Sequence, residues 1–464
     1  MYSAVRSKGP KGIHPDTLSL LLRGAFGLAL LMAALSQKAN GQSTSLNNQV
    51  TNRPREVRTA SPDSDGATEA KSETEKTVGI KSTLATQSGV TTSSATAAIP
   101  QATPSPTPQT QTAESKWHYG GFFDVGYLLD FNHPENKVFR SRGTTWHVDR
   151  PQINMAAFYL KKKATEDSRW GVELTAQAGK DAELFGFSAT APNIDGYKVL
   201  RQLGPTNASY LAPVGKGLTI QGGIFSSYIG YDSLYARDNF NYTRPWGADF
   251  TPYLMLGVNV SYPFNRKVTG TFFVVNGYWH LADANHVPSW GGQAAISATS
   301  HFTVKQTVLV GPHQANTSFK FWRFISDTIV EHKTEKRTIA FDTNFSTEAV
   351  DSAGTPRAWW FAAQAPMRWI LNPRWSVAVR PEVAWDSQGR WTLARQTVVA
   401  LTTTVEYKLP YKSSNTIFRL EHRYDRSTGP GGGFFRGRVV SPGVIGLTPG
   451  QHLLVFATIF TFDR

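Results

Sequence analysis

The chain has 464 residues, no cysteine, a formal net charge of +14 and a pI near 9.7. The lack of cysteine excludes disulfide frameworks, zinc–thiolate sites, cysteine nucleophiles and lipid anchoring through an N-terminal cysteine. The basic residues are scattered instead of gathered in a block or a basic helix, which argues against a nucleic-acid partner.

Residues 1–41 carry Arg6, Lys8 and Lys11, then an apolar core from Gly24 to Leu35, then small residues. Ala34-Leu35-Ser36 and Ala39-Asn40-Gly41 both fit a small-x-small cleavage site, so this stretch is expected to be an export signal. Residues 42–115 are Ser, Thr, Ala, Gln and Pro with few large apolar side chains. Such a segment cannot bury enough surface to offset its ordering entropy, and a disordered tether is expected.

Residues 116–464 behave differently. Period-two segments recur to the end, roughly sixteen in number. The first eight are read at Tyr119 to Phe131, Ile153 to Lys161, Trp170 to Gly179, Thr206 to Ala212, Gly217 to Ser226, Tyr253 to Tyr262, Lys267 to Gly277 and Trp290 to Ala298. The rest run His301 to Val310, Phe321 to Glu331, Arg337 to Thr347, Arg357 to Trp369, Trp375 to Trp385, Arg395 to Lys408, Asn415 to Tyr424 and Gln451 to Phe462.

Two of these define the class. Between Arg357 and Trp369 the apolar positions are Trp359, Phe361, Ala363, Ala365, Met367 and Trp369; after LNPR the pattern resumes with Trp375, Val377, Val379, Val383 and Trp385. Each strand is long enough to cross a hydrocarbon layer when tilted, which takes about 9 to 11 residues. Tryptophans close the apolar face at both ends, as expected where one face meets lipid and the ends meet headgroups. A soluble sandwich would need a second sheet over that face. No run of about 18 apolar residues follows the first forty positions, so a membrane-spanning form has to be a closed sheet. Linkers after the even-numbered strands are short (PVGK, PFNR, TS, HKTEK and LNPR among them), while those after odd-numbered strands are longer. That alternation predicts an all-β, transmembrane up-and-down antiparallel barrel with short periplasmic turns and long outer loops.

The opening GGFFDVGYLLDFNHP, the blocks LAPVGKGLTIQGGIF, YIGYD and DNFNYTRPW, and the strand end VVNGY occur in this order. The chain resembles the OmpL-like outer-membrane β-barrel porins over nearly everything after Trp117. The resemblance implies a diffusion channel in the outer membrane, lipid around it, small polar solutes passing through it, and a homotrimer as one possible assembly. It also makes the third outer loop, 226–252, the candidate constriction, with Tyr231, Asp232, Arg237, Asp238, Asn239, Tyr242, Arg244 and Asp249 as its residues.

Parity turns Arg368, Arg380, Glu382, Arg419, Glu421 and Arg423 toward the lumen, because an Arg or Lys facing lipid at mid-depth costs about 2–4 kcal/mol. One expectation is a transverse field, with Asp232, Asp238 and Asp249 facing wall arginines across a water-filled gap. The alternative is that these charges are paired wall residues and that the loop aromatics only pin the loop. No HExxH, GxSxG or phosphate-binding pattern is present, and the histidines lack metal-ligand spacing, so neither a cofactor nor a metal is expected. Glu382 and Glu421 could form an acid/base pair if adjacent, but arginines near each in sequence favour salt bridges. A non-conducting barrel that anchors outer loops is the second functional reading.

Overall fold

The computed structural model describes residues 117–186, 197–277, 287–313, 319–350, 357–441 and 444–464. The expected signal and tether lie outside these. The strands are β1 (Trp117–Asp130), β2 (Pro151–Lys162), β3 (Trp170–Ala178), β4 (Thr206–Ala212), β5 (Leu218–Ser226), β6 (Leu254–Pro263), β7 (Val268–Val275), β8 (Ser289–Ser297), β9 (Phe302–Pro312) and β10 (Trp322–Lys333). They continue as β11 (Arg337–Ala349), β12 (Arg357–Gln364), β13 (Met367–Ile370), β14 (Trp375–Asp386), β15 (Gln396–Tyr411), β16 (Ser414–Thr428), β17 (Phe434–Ser441), β18 (Val444–Thr448) and β19 (Gly450–Asp463).

Successive crossings pair antiparallel, β16 pairs with β19 past the separate β17–β18 hairpin, and β1 pairs with both β2 and β19, which closes the sheet. Closure leaves no bare edge, the condition for a sheet in lipid. β12 and β13 are two pieces of one crossing, so the barrel has sixteen strands. The sequence predicts that crossing as unbroken. It is interrupted at Ala365–Pro366 because proline has no N–H to give the ladder. The register against β11 is the same on both sides of the gap, and Ala340 N donates to Pro366 O across it at 2.9 Å.

Side chains alternate as the pleat requires. Phe158, Leu174, Phe272, Leu420 and Phe456 are exposed on the outer face, and Trp117, Trp170, Trp375, Trp290 and Trp359 lie near strand ends. Inward positions of the same strands carry Asp124, Thr175, Gln177, Arg419 and Glu421, all buried. The inside of the barrel is therefore polar, and what buries it is loop. Connections alternate in length, from the two residues 412–413 to the tract 179–205. The Gly-rich tract before β19 contains the β17–β18 hairpin. Gly429, Gly431 and Gly433 there have φ of 124°, 74° and 98°, a region L side chains avoid.

Candidate functional site

The connection between β5 and β6 folds into the lumen instead of standing outside. Its tightest turn, Trp246–Asp249, is helical, and Gly247 lies so close to the wall that a Cβ there would sit 2.9 Å from Ala362 Cβ. Opposite, a Cβ on Gly126 of β1 would meet the Tyr242 hydroxyl at 2.4 Å. Two small wall positions thus admit the loop.

Wall side chains then bind its backbone. Glu421 accepts hydrogen bonds from the N–H groups of Tyr242 and Thr243 and from the Thr243 hydroxyl. Glu382 accepts one from Trp246 N–H. Arg419 donates to Ala236 O and Asn239 O at 2.6 and 2.7 Å, and Arg423 donates to Arg244 O at 2.9 Å. Tyr242 Oη donates to Asp124 at 2.6 Å and accepts from Asn154 Nδ2 at 2.7 Å. Backbone groups of a loop inside a barrel are cut off from bulk water, so each needs such a partner.

The loop carboxylates do not all face the wall arginines. Asp232 does, 3.8 Å from Arg380, and it also accepts from Gln364 Nε2 at 2.6 Å. Asp238 pairs instead with its neighbour Arg237 at 3.4 Å, and Asp249 with Arg142 of the first outer loop at 3.0 Å. Arg244 pairs with Asp181 of the second outer loop. Both side chains are buried at the contact between Asp232 and Arg380, Arg380 fully. Burial pushes the carboxyls of Asp181, Asp232 and Asp238 above the ordinary range, and Arg244, Arg380 and Arg237 respectively pull them back. Direct pairing replaces the transverse field because unpaired charges at this burial would be too costly.

The wall arginines likewise find carboxylates. Arg423 meets Asp425 and Glu382 at 2.8 and 3.0 Å; Arg368 and Arg419 share Glu406 at 2.9 and 2.7 Å. Glu382 and Glu421 are thus occupied with arginine and loop N–H groups and do not stand as an acid/base couple. Above the loop, Phe139, Trp246 and Phe434 cluster with centroids 5.9 to 6.4 Å apart, and the Arg142 guanidinium lies 4.8 Å over the Trp246 ring. The first and third outer loops and the β17–β18 hairpin are packed together there.

Below the loop a cavity of about 410 Å³ remains, lined by the loop residues 237–240 and by Lys305, Glu331, Lys333, Arg368, Lys408 and Arg419 among others. Glu331 accepts from the Tyr231 hydroxyl at 2.6 Å, and Glu406 is held by two arginines. Lys305, Lys333 and Lys408 make no ion pair among the described residues.

The model of the family described as "Putative beta-barrel porin-2, OmpL-like" matches residues 116–462. The chain belongs to this family. It is an outer-membrane β-barrel of the porin class. No curated relative matches it. Among solved structures it is similar to the anion-selective porin of Comamonas acidovorans, at 7% identity and a TM-score of 0.48, covering 76% of this chain and 100% of that one. OmpT of Vibrio cholerae matches at 10% identity and a TM-score of 0.45, covering 75% and 96%. OccD3 of Pseudomonas aeruginosa matches at 9% identity and 0.42, covering 75% and 91%.

In this OmpL-like barrel, loop-to-loop partners such as Arg142 and Asp181 carry no strand parity, so no local pattern marks them. The three lysines were open to parity: Lys305 alternates with Val304 and Gln306, and shares its face with the buried Thr307 and Leu309. Gly126→Val is expected to push Tyr242 off the wall and raise single-channel conductance in planar bilayers. Unchanged conductance would mean that the loop does not limit the current.

Proposed function

We propose that the chain is a passive diffusion channel for small polar solutes, with residues 226–252 narrowing the lumen and a preference for anions or neutral sugars over cations. The observation that carries this is the cavity beneath the loop, where three lysines make no ion pair among the described residues while Glu331 accepts from the Tyr231 hydroxyl and Glu406 is held by two arginines. Unpaired cations beside water raise the local concentration of anions. Purified protein in a planar bilayer under a KCl gradient is expected to give a reversal potential on the chloride side, and liposomes carrying it should swell in small sugars. Conductance with a cation-side potential would overturn the anion preference.

The second reading, a non-conducting barrel that anchors outer loops, is favoured by the cluster of Phe139, Trp246, Phe434 and Arg142 over the lumen. Silence in the bilayer together with failure to swell would select it. The remaining parts of the proposal are an export signal at 1–41, a periplasmic tether at 42–115, no catalytic role, and assembly as a homotrimer. Cross-linking in native membranes is expected to trap a species of three copies, and monomers alone would remove that last part.

A further inference from the structure

The cavity beneath the third loop is not uniformly polar. Phe240, half-buried, lines it from the loop, with Tyr231 edge-on to it at 6.0 Å and the Arg368 guanidinium 5.7 Å from its centroid. Ile329, Ile370 and Ile417 line the wall of the same cavity. A pathway for inorganic ions alone has no use for such a surface, since apolar walls in a narrow lumen disfavour hydrated ions. Phe240 is also not needed to seat the loop, whose backbone is held by Glu421, Glu382, Arg419 and Arg423.

The lysines stand on three different strands: Lys305 on β9, Lys333 at the end of β10 and Lys408 on β15. Ammonium groups that make no ion pair among the described residues and a half-buried aromatic ring thus line one cavity. We infer that this vestibule is a binding site for small organic anions with a flat apolar body, of which an aryl carboxylate is the simplest. The inference rests on the channel reading and deepens it. The carboxylate sits among the lysines, and the aryl group lies against Phe240 on the side not taken by Tyr231 and Arg368. Ring-on-ring contact and desolvation of the aryl face both add to the charge interaction. Acetate, with the same charge and no ring, gains only the charge interaction. Benzyl alcohol, with the same ring and no charge, gains only the ring contact and its desolvation. Benzoate is therefore expected to bind about tenfold more tightly than either, since roughly 1.4 kcal/mol, from ring contact against acetate and from the charge interaction against benzyl alcohol, corresponds to that factor.

The test is saturation-transfer NMR on the full-length protein in detergent, titrating benzoate, acetate and benzyl alcohol, with block of KCl current by the same probes in parallel. Benzoate binding about tenfold tighter than both partners supports the site. Equal affinity for benzoate and acetate, or for benzoate and benzyl alcohol, overturns it. Phe240→Leu keeps an apolar side chain for packing and removes the ring, and it should bring the benzoate-to-acetate ratio close to one. A retained ratio places the aryl contact elsewhere and also overturns the assignment. Because binding is read without current, a silent bilayer defeats the channel reading while leaving this inference to stand or fall on the NMR titration.

Discussion

Arg423→Ala is expected to cost about 3–5 kcal/mol of stability and to release the third outer loop from the wall, because breaking a buried ion pair from one side strands its partners. The Arg423 side chain is fully buried and meets Asp425 at 2.8 Å and Glu382 at 3.0 Å while donating to Arg244 O at 2.9 Å. Without it, Asp425 retains Trp246 Nε1–H at 2.8 Å and Glu382 retains Trp246 N–H and Arg380, the latter at 3.5 Å, too little to offset two buried negative charges. Arg426, three residues on and exposed, is the control: Arg426→Ala should change stability by less than about 0.5 kcal/mol. Heat-modifiable migration on gels reads the first effect and single-channel conductance the second. A loss no larger than that of the control would show that the loop is held by other contacts.

Neutralising Lys305, Lys333 and Lys408 together as Gln is expected to move the reversal potential to the cation side, the largest functional change of any replacement considered. The four carboxylates that line the cavity, Asp238, Glu331, Glu335 and Glu406, would then face three remaining cations, Arg237, Arg368 and Arg419. Those arginines are paired with Asp238 and Glu406. Arg380→Gln, by contrast, should act through stability more than selectivity, since Arg380 is sealed against Asp232 and Glu382. Selectivity is thus expected to rest on the lysines and not on the buried wall arginines. A reversal potential unmoved in the triple variant would refute this.

Strand positions were legible because each depends on neighbours two residues away and on one outside medium. Thr206–Ala212 coincides with the expected strand, and most others differ only at their ends. The break at Pro366 was not read, because the apolar alternation runs through it unchanged, although a residue without an N–H marks the place. Which charges face inward followed from the cost of placing them in lipid. The pairing of those charges did not follow. Asp249 finds Arg142, Arg244 finds Asp181, and Glu421 finds the backbone at Tyr242 and Thr243.

By itself, then, the sequence determined a closed sheet with a greasy outside, a polar inside and loops sorted by length. Alternation and the expense of unpaired backbone in lipid admit no other arrangement of these residues. The tertiary structure decided which inward charges spend themselves on the loop and which stay free at the cavity. That choice rests on contacts between residues as far as 183 positions apart, whose distances are set by the loop's path through the lumen and not by any local periodicity.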